Sequence, residues 1–165
     1  MSGTDPTATR TQGPLSASRG ADGIAATGVD HIGAARPVRD GLFLDDPPRL
    51  LAGRCRQCGH LHFPRHDTCP YCASSHIDGV EVSGPARLWA WTAVTAAPPG
   101  YQGAVPFGFG VVELLEGVRV VTRLTEASPE RLHAGQPMRL VLEPLHDDAD
   151  GRQVLGYAFA PMDAL

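Results

Sequence analysis

The opening stretch of the chain has no hydrophobic period. Residues 1 to about 35 mix Gly, Ala, Ser and Thr with two prolines, and apolar positions recur at neither strand nor helix spacing. A segment that buries so little apolar surface cannot offset its ordering entropy, which predicts a disordered tail over 1–35. The pattern then thickens. Arg36 to Pro48 holds Val38, Leu42, Phe43 and Leu44 and reads as an ordered lead-in, 36–48, that drapes over a neighbour. Arg49-Leu-Leu-Ala-Gly-Arg54 predicts a short strand running into Cys55. His60-Leu-His-Phe63 predicts a second strand, ended by Pro64.

From Ala86 the pattern turns to strands. Arg87 to Thr95 alternates only loosely but is rich in strand formers. A long proline-bearing loop, Ala96 to Pro106, separates it from a second strand, Phe107 to Leu115. Glu116-Gly117 is a tight turn into a third, Val118 to Thr125. Ser128-Pro-Glu-Arg-Leu-His133 predicts a short helix with Ser128 as N-cap, Pro129 at the first position and Gly135 as its stop. Met138 to Glu143 and Val154 to Phe159 are the fourth and fifth strands, joined by a turn at Asp147 to Gly151. Five short strands with a helix between the third and fourth is the order of an OB-fold barrel. Gly108, Gly110 and Gly156 suit its strongly bent strands. A β-sandwich is the alternative, for which five strands are few. The expected architecture is mainly β: a rubredoxin-like zinc ribbon over 49–84, then a five-stranded OB-fold barrel with one short helix over 85–165.

The ribbon is read from cysteine spacing. Cys55-Arg-Gln-Cys58 and Cys69-Pro-Tyr-Cys72 are the only cysteines in the chain, two C-x-x-C pairs ten residues apart. Each such turn converges two sulfurs on one ion, and two turns facing each other complete a tetrahedron suited to zinc. A rubredoxin-type iron site uses the same ligands. Two disulfides would need an oxidising compartment, and a redox pair would not need a second C-x-x-C. A closed four-thiolate shell leaves no position for substrate, so the metal is expected to fold the segment rather than to catalyse. Gly59 after Cys58 can take positive φ; Ala73 stands at the matching place after Cys72, where that conformation costs more. His60, His62, His66 and His76 surround the cysteines as substitute ligands or, more simply, as surface histidines.

Charge narrows the partners. The formal net charge is −4, lysine is absent, and all 14 cationic side chains are arginines. From Ala86 onward six arginines face nine carboxylates. A single-strand binder needs a basic groove as well as stacking aromatics, so Trp89, Trp91, Tyr101, Phe107 and Phe109 alone do not make one. No nucleic acid is expected, although an OB-fold nucleic-acid module remains the alternative class. The first residues lack the basic and apolar regions of a signal peptide, and no apolar run approaches a membrane span. The expectation is a cytoplasmic protein without membrane contact. No nucleophile elbow or phosphate loop is present. Glu113 and Glu116 read as solvent-facing, and His133 and His146 as isolated. No catalytic residue is expected.

Several pieces of the chain together resemble one family. They are Gly53-Arg-Cys-Arg-Gln-Cys-Gly59, Phe63-Pro64, Thr68-Cys-Pro-Tyr-Cys72, Ser83-Gly84, Trp91-Thr92, Ala97-Pro-Pro-Gly-Tyr101, Pro106-Phe107, Val112-Glu-Leu114 and Glu116-Gly117. The chain resembles, over about 37–161, the zinc-ribbon/OB-fold proteins associated with acyl-CoA enzymes, the domain of unknown function thirty-five. Pro37 to Phe43 and Val105 to Gly110 look most like the zinc-finger subunits of thiolases that serve anaerobic aromatic-hydrocarbon breakdown. The resemblance implies a non-catalytic accessory subunit in a hetero-oligomer with a thiolase-fold protein. Zinc would be structural, and CoA or acyl-CoA would lie at the partner interface. Trp91, Tyr101, Phe107, Arg119 and Arg123 are then the candidates for contact with CoA, the arginines through its phosphates. The plainer alternatives are barrel core for the tryptophans and ordinary barrel-face positions for the arginines. A free-standing acyl-CoA-binding protein is a further alternative.

Overall fold

The structure, a computed structural model, describes residues 35–101 and 103–162. Of the tail expected over 1–35, all but Ala35 lies outside them. Among the described residues ten strands follow in order: β1 (Arg36–Pro37), β2 (Phe43–Leu44), β3 (Arg49–Cys55), β4 (Leu61–His62), β5 (Ile77–Val82), β6 (Ala86–Val94), β7 (Phe107–Leu114), β8 (Arg119–Leu124), β9 (Pro137–Asp147) and β10 (Gln153–Pro161).

The ribbon is built around β3. Its residues Leu50 to Cys55 pair antiparallel with Val82 to Ile77 of β5. On its other edge β2 meets one end and β4 the other. β5 is absent from the expected elements: Ile77-Asp-Gly-Val-Glu-Val82 alternates poorly, and its pairing to β3 rather than its own pattern makes it a strand.

The second unit is a closed barrel. Its strands run β6–β7–β8–β10–β9, and β9 returns to β6. The β8–β10 contact is parallel, whereas the other barrel pairings are antiparallel. This is the five-stranded OB barrel expected from the strand order. β9 runs on to Asp147, beyond the expected Glu143, because β10 pairs with it along that whole length. The expected helix shrinks to a single 3-10 turn at Pro129–Arg131. Ser128 makes no side-chain cap; instead its N–H donates to Glu126 Oε1 at 2.9 Å.

The three barrel glycines are set by space, not by φ. A Cβ at Gly108 would lie 2.0 Å from the Glu126 carbonyl oxygen, and one at Gly110 would lie 2.5 Å from that of Ala90. At Gly156 the obstacle is the Leu145 side-chain tip at 2.8 Å.

One apolar cluster runs through both units. It joins Phe43, Leu50, Ala52 and Val82 of the ribbon to Leu88, Val112, Leu124 and Phe159 of the barrel. Phe63 meets Tyr157 edge-on across the junction, with ring centroids 5.3 Å apart. The lead-in fastens the two: β1 lies parallel to β10 of the barrel, and β2 pairs with β3 of the ribbon. Arg36 Nε donates to Asp148 Oδ2 at 2.8 Å in the β9–β10 turn. Where the chain passes from ribbon to barrel, the Gly84 N–H donates to Glu116 Oε1 at 2.8 Å. Ser83-Gly84 and Glu116-Gly117 are thus one contact.

Candidate functional site

Two local features stand out: the cysteine cluster at the ribbon tip and the outer face of β6–β8 with the loop beside it. At the tip, Cys55 lies at the end of β3 and the other three cysteines on the loops beyond. Gly59 has φ +74° and Ala73 φ +59°, so both knuckles use the left-handed turn and the second carries it on an alanine. The Gly59 N–H donates to the Cys55 carbonyl and that of Ala73 to the Cys69 carbonyl, each at 2.9 Å. Cys55 and Cys72 sulfurs are 3.6 Å apart, as are those of Cys58 and Cys69, and all four lie within 4.8 Å of one another. A tetrahedron with Zn–S bonds of about 2.3 Å places its sulfurs ~3.8 Å apart. The four fit the ion.

Protonation favours a cation as well. The Cys58 N–H, opposed by desolvation, leads in holding the Cys55 thiol down at about 6. Cys72 is pushed up to about 12: the Ser74 N–H favours its thiolate, but burial and the three neighbouring sulfurs outweigh it. Four thiolates this close need a cation between them.

The histidines around the tip divide. His60, His66 and His76 are exposed, and His60 stacks on the exposed Tyr71 ring at 4.5 Å. His62 departs from the surface expectation: it is 5% exposed, with its Nε2 accepting from the His66 N–H at 3.4 Å. Gly53 makes that burial feasible, since a Cβ there would sit 2.6 Å from the His62 ring. Among the described residues, the four cysteines without a histidine make up the group placed to hold an ion.

The barrel face depends on a bulge. β6 and β7 shift register between Leu88 and Ala90. Trp89 and Trp91, two apart in sequence, therefore lie on opposite faces. Trp91 packs against the core and its indole N–H donates to the Pro129 carbonyl at 3.1 Å. Trp89 is 53% exposed, so the barrel-core alternative does not hold for it. The Arg119 guanidinium lies over its ring, 4.4 Å from the centroid, and donates from Nε to Glu113 Oε1 at 3.0 Å.

Farther along the same face, Phe109 pairs with Arg123 across β7 and β8. Arg123 stacks on Phe107 at 4.8 Å and on Tyr101 at 5.8 Å, and its Nη1 donates to the Tyr101 hydroxyl. Its Nε is buried without a hydrogen-bond partner, and Glu143 Oε2 stands 4.0 Å away, close enough to act only as a charge. Beside this stack a cavity of about 520 Å³ opens between Gly100, Tyr101 and Gly103 of the loop and Leu145 to Ala149 of the β9–β10 hairpin. Asp148 on its wall is held down to about 2, chiefly by Arg36 and then by the Arg152 N–H. The β7–β8 face with the first and last inter-strand loops is where OB folds take ligands.

Of the five residues expected to meet CoA, the structure therefore brings Tyr101 and Arg123 to the cavity wall, with Phe107 stacked against both. Arg119 shares their face but sits with Trp89, and Trp91 points inward. Sequence reading missed Leu145 and His146 of the cavity wall. Only the long β9–β10 hairpin brings them there, and no local pattern marks it.

Comparison with known proteins follows the same division. Residues 46–77 match a family described as the ChsH2 rubredoxin-like zinc ribbon domain, and residues 79–143 match the ChsH2 C-terminal OB-fold domain. A DUF35 domain-containing scaffold protein of Pyrococcus furiosus is 35% identical over 115 residues, 69% of this chain and 84% of that protein. This chain belongs to the DUF35 family. The benzoylsuccinyl-CoA thiolase subunit BbsA of Thauera aromatica is 28% identical, over 68% of this chain and 76% of its own length. Among solved structures, a chain of the Ltp2-ChsH2(DUF35) aldolase superposes with a TM-score of 0.55 at 29% identity, covering 68% of this chain and 84% of that one. As a DUF35 protein the chain carries the family's zinc ribbon, and its four clustered cysteines fit a structural zinc ion. Among the described residues, no helix is long and apolar enough to cross a membrane.

Proposed function

We propose that this DUF35 protein is a non-catalytic accessory subunit of a thiolase-type complex acting on acyl-CoA thioesters. Residues 49–84 and 85–165 would serve as its ribbon and barrel units. The observation that carries the reading is the Tyr101–Phe107–Arg123 stack, which places an arginine and two aromatic rings beside an open cavity. It supplies recognition groups for a CoA thioester: ring faces for an adenine or pantetheine chain, and a guanidinium for a phosphate. The closed thiolate shell offers no open coordination position. The P. furiosus scaffold protein and the T. aromatica thiolase subunit are relatives of the kind this role requires.

Charge separates this reading from nucleic-acid binding. Asp147 and Asp148 line the same cavity and would oppose a polyphosphate strand. A single CoA can instead lay a phosphate outward, toward Arg123, and its uncharged arm along the cavity.

The test is a tagged pull-down from the native host with the bound proteins identified by mass spectrometry. Recovery of a thiolase-fold protein in near-equal amount supports the reading and identifies the enzyme to assay. An aldolase in its place would keep the accessory role and replace the thiolase. Nucleic acid alone would sink both, and acyl-CoA binding without any partner would make the chain a solitary carrier.

A further inference from the structure

We infer that the outer face of β6–β8, centred on Trp89, Val111 and Val121, is the surface by which this chain docks its acyl-CoA enzyme, and that it fits a partner surface apolar at its centre and acidic at its edge. The inference rests on the accessory-subunit reading and adds to it the face and the partner's chemistry.

An antiparallel sheet with one face to water ordinarily carries polar residues on that face. Here the centre is apolar. Val111 stands opposite Val121 on β8 and opposite Ala90 on β6, where the bulge turns Trp89 outward. Trp89 is 53% and Val121 58% exposed. Phe109, 38% exposed, continues the strip toward Arg123. A polar row of Arg87, Glu113 and Arg119 closes the other end. An apolar centre holding a tryptophan, rimmed by arginines, is the composition of a protein–protein contact.

Charge indicates what covers it. Between Ala86 and Met162 there are six arginines and eight carboxylates. Three of the arginines, at 87, 119 and 123, lie on this face, but only one of the carboxylates, Glu113, does. Glu143 approaches Arg123 from the β9 side at 4.0 Å. A net-acidic barrel thus shows its basic side at the apolar strip, so an acidic rim on the partner would find the complementary potential. Arg119, already flat against the Trp89 ring, keeps guanidinium donors free for a carboxylate at little further entropic cost.

The experiment measures affinity between the full chain and the enzyme recovered by the pull-down, by surface plasmon resonance at two salt concentrations. Trp89→Ala, Val121→Asp and Arg119→Glu are compared with Arg139→Glu, which lies on β9 and borders neither β7 nor β8. The expected result is a Kd weakened about tenfold or more by Trp89→Ala and Val121→Asp. Arg119→Glu should lower the association rate and its salt dependence, and Arg139→Glu should change neither. All four positions are exposed, so zinc content and melting temperature should hold and certify the fold. If the wild-type chain binds the enzyme and the face variants bind as tightly, the face is wrong and the accessory role stands. If no acyl-CoA enzyme binds the wild type, both fall. If the variants instead abolish self-association, a second copy of the chain occupies the face and the inference is overturned.

Discussion

Adding one methyl group at each of three barrel glycines should destabilise in the order Gly108, Gly110, Gly156. None has a left-handed φ, so alanine is conformationally allowed at all three and only space decides. At Gly108 the new Cβ would lie 2.0 Å from the Glu126 carbonyl oxygen, a backbone atom two residues past the end of β8. About 1 Å of main-chain movement is needed to reach ordinary contact, and overpacking of that kind costs roughly 1–3 kcal/mol. Alanine returns about 0.4–1 kcal/mol by restricting the unfolded chain. The expected net loss is about 1–2 kcal/mol, or ~2–8 °C in melting temperature for a chain of this size. At Gly110 the obstacle is also backbone, the Ala90 carbonyl at 2.5 Å, and the loss should be smaller. At Gly156 the neighbour is the end of the Leu145 side chain, which can rotate away, so the two contributions should nearly cancel, within about 0.5 kcal/mol. Urea and thermal unfolding of the zinc-loaded protein, followed by far-UV circular dichroism, measure the series. A Gly156→Ala variant less stable than Gly108→Ala would refute the argument that fixed carbonyls, not the lack of a side chain, select these glycines.

Purified protein should hold one zinc per chain by elemental analysis. Cys55→Ser or Cys69→Ser should lose the metal and much of the ribbon's stability, whereas His60→Ala and His76→Ala should keep it. The Asp148 carboxyl is held at about 2 in the folded chain, below the ordinary value of about 3.9. Its contribution is therefore full above about pH 4 and disappears as pH falls toward 2; Asp148→Asn should lower stability at neutral pH and flatten the melting-temperature profile in that window. Arg123→Lys keeps the charge but loses the planar contact with Phe107 and Tyr101. It should raise the KM of the assembled enzyme for its acyl-CoA several-fold while Trp91→Phe leaves KM unchanged, and equal effects would argue against the cavity as the thioester site.

The four-cysteine cluster was readable from the chain alone because C-x-x-C is a local rule: four positions in two turns fix where four sulfurs converge. The barrel was readable for a related reason, since strand order and connecting turns are sequential properties and the five barrel strands appeared in their expected places. β5 was not, because its backbone is satisfied by a strand more than twenty residues away and its own side chains alternate poorly. Trp89 and Trp91 are indistinguishable by alternation, and one bulge, which only pairing with β7 imposes, sends one to water and the other to the core. His62 reads like its three neighbours until Gly53 makes a place for its ring. Tyr101, Phe107 and Arg123 were each visible as stacking or charged residues, but their meeting depends on a loop folding back over a face that β7 and β8 create together. The sequence by itself determined the four-cysteine cluster, the strand order and the family signature. The tertiary structure decided which aromatic faces solvent, which arginine is stacked and where the cavity opens, because those depend on register and approach between segments distant in the chain.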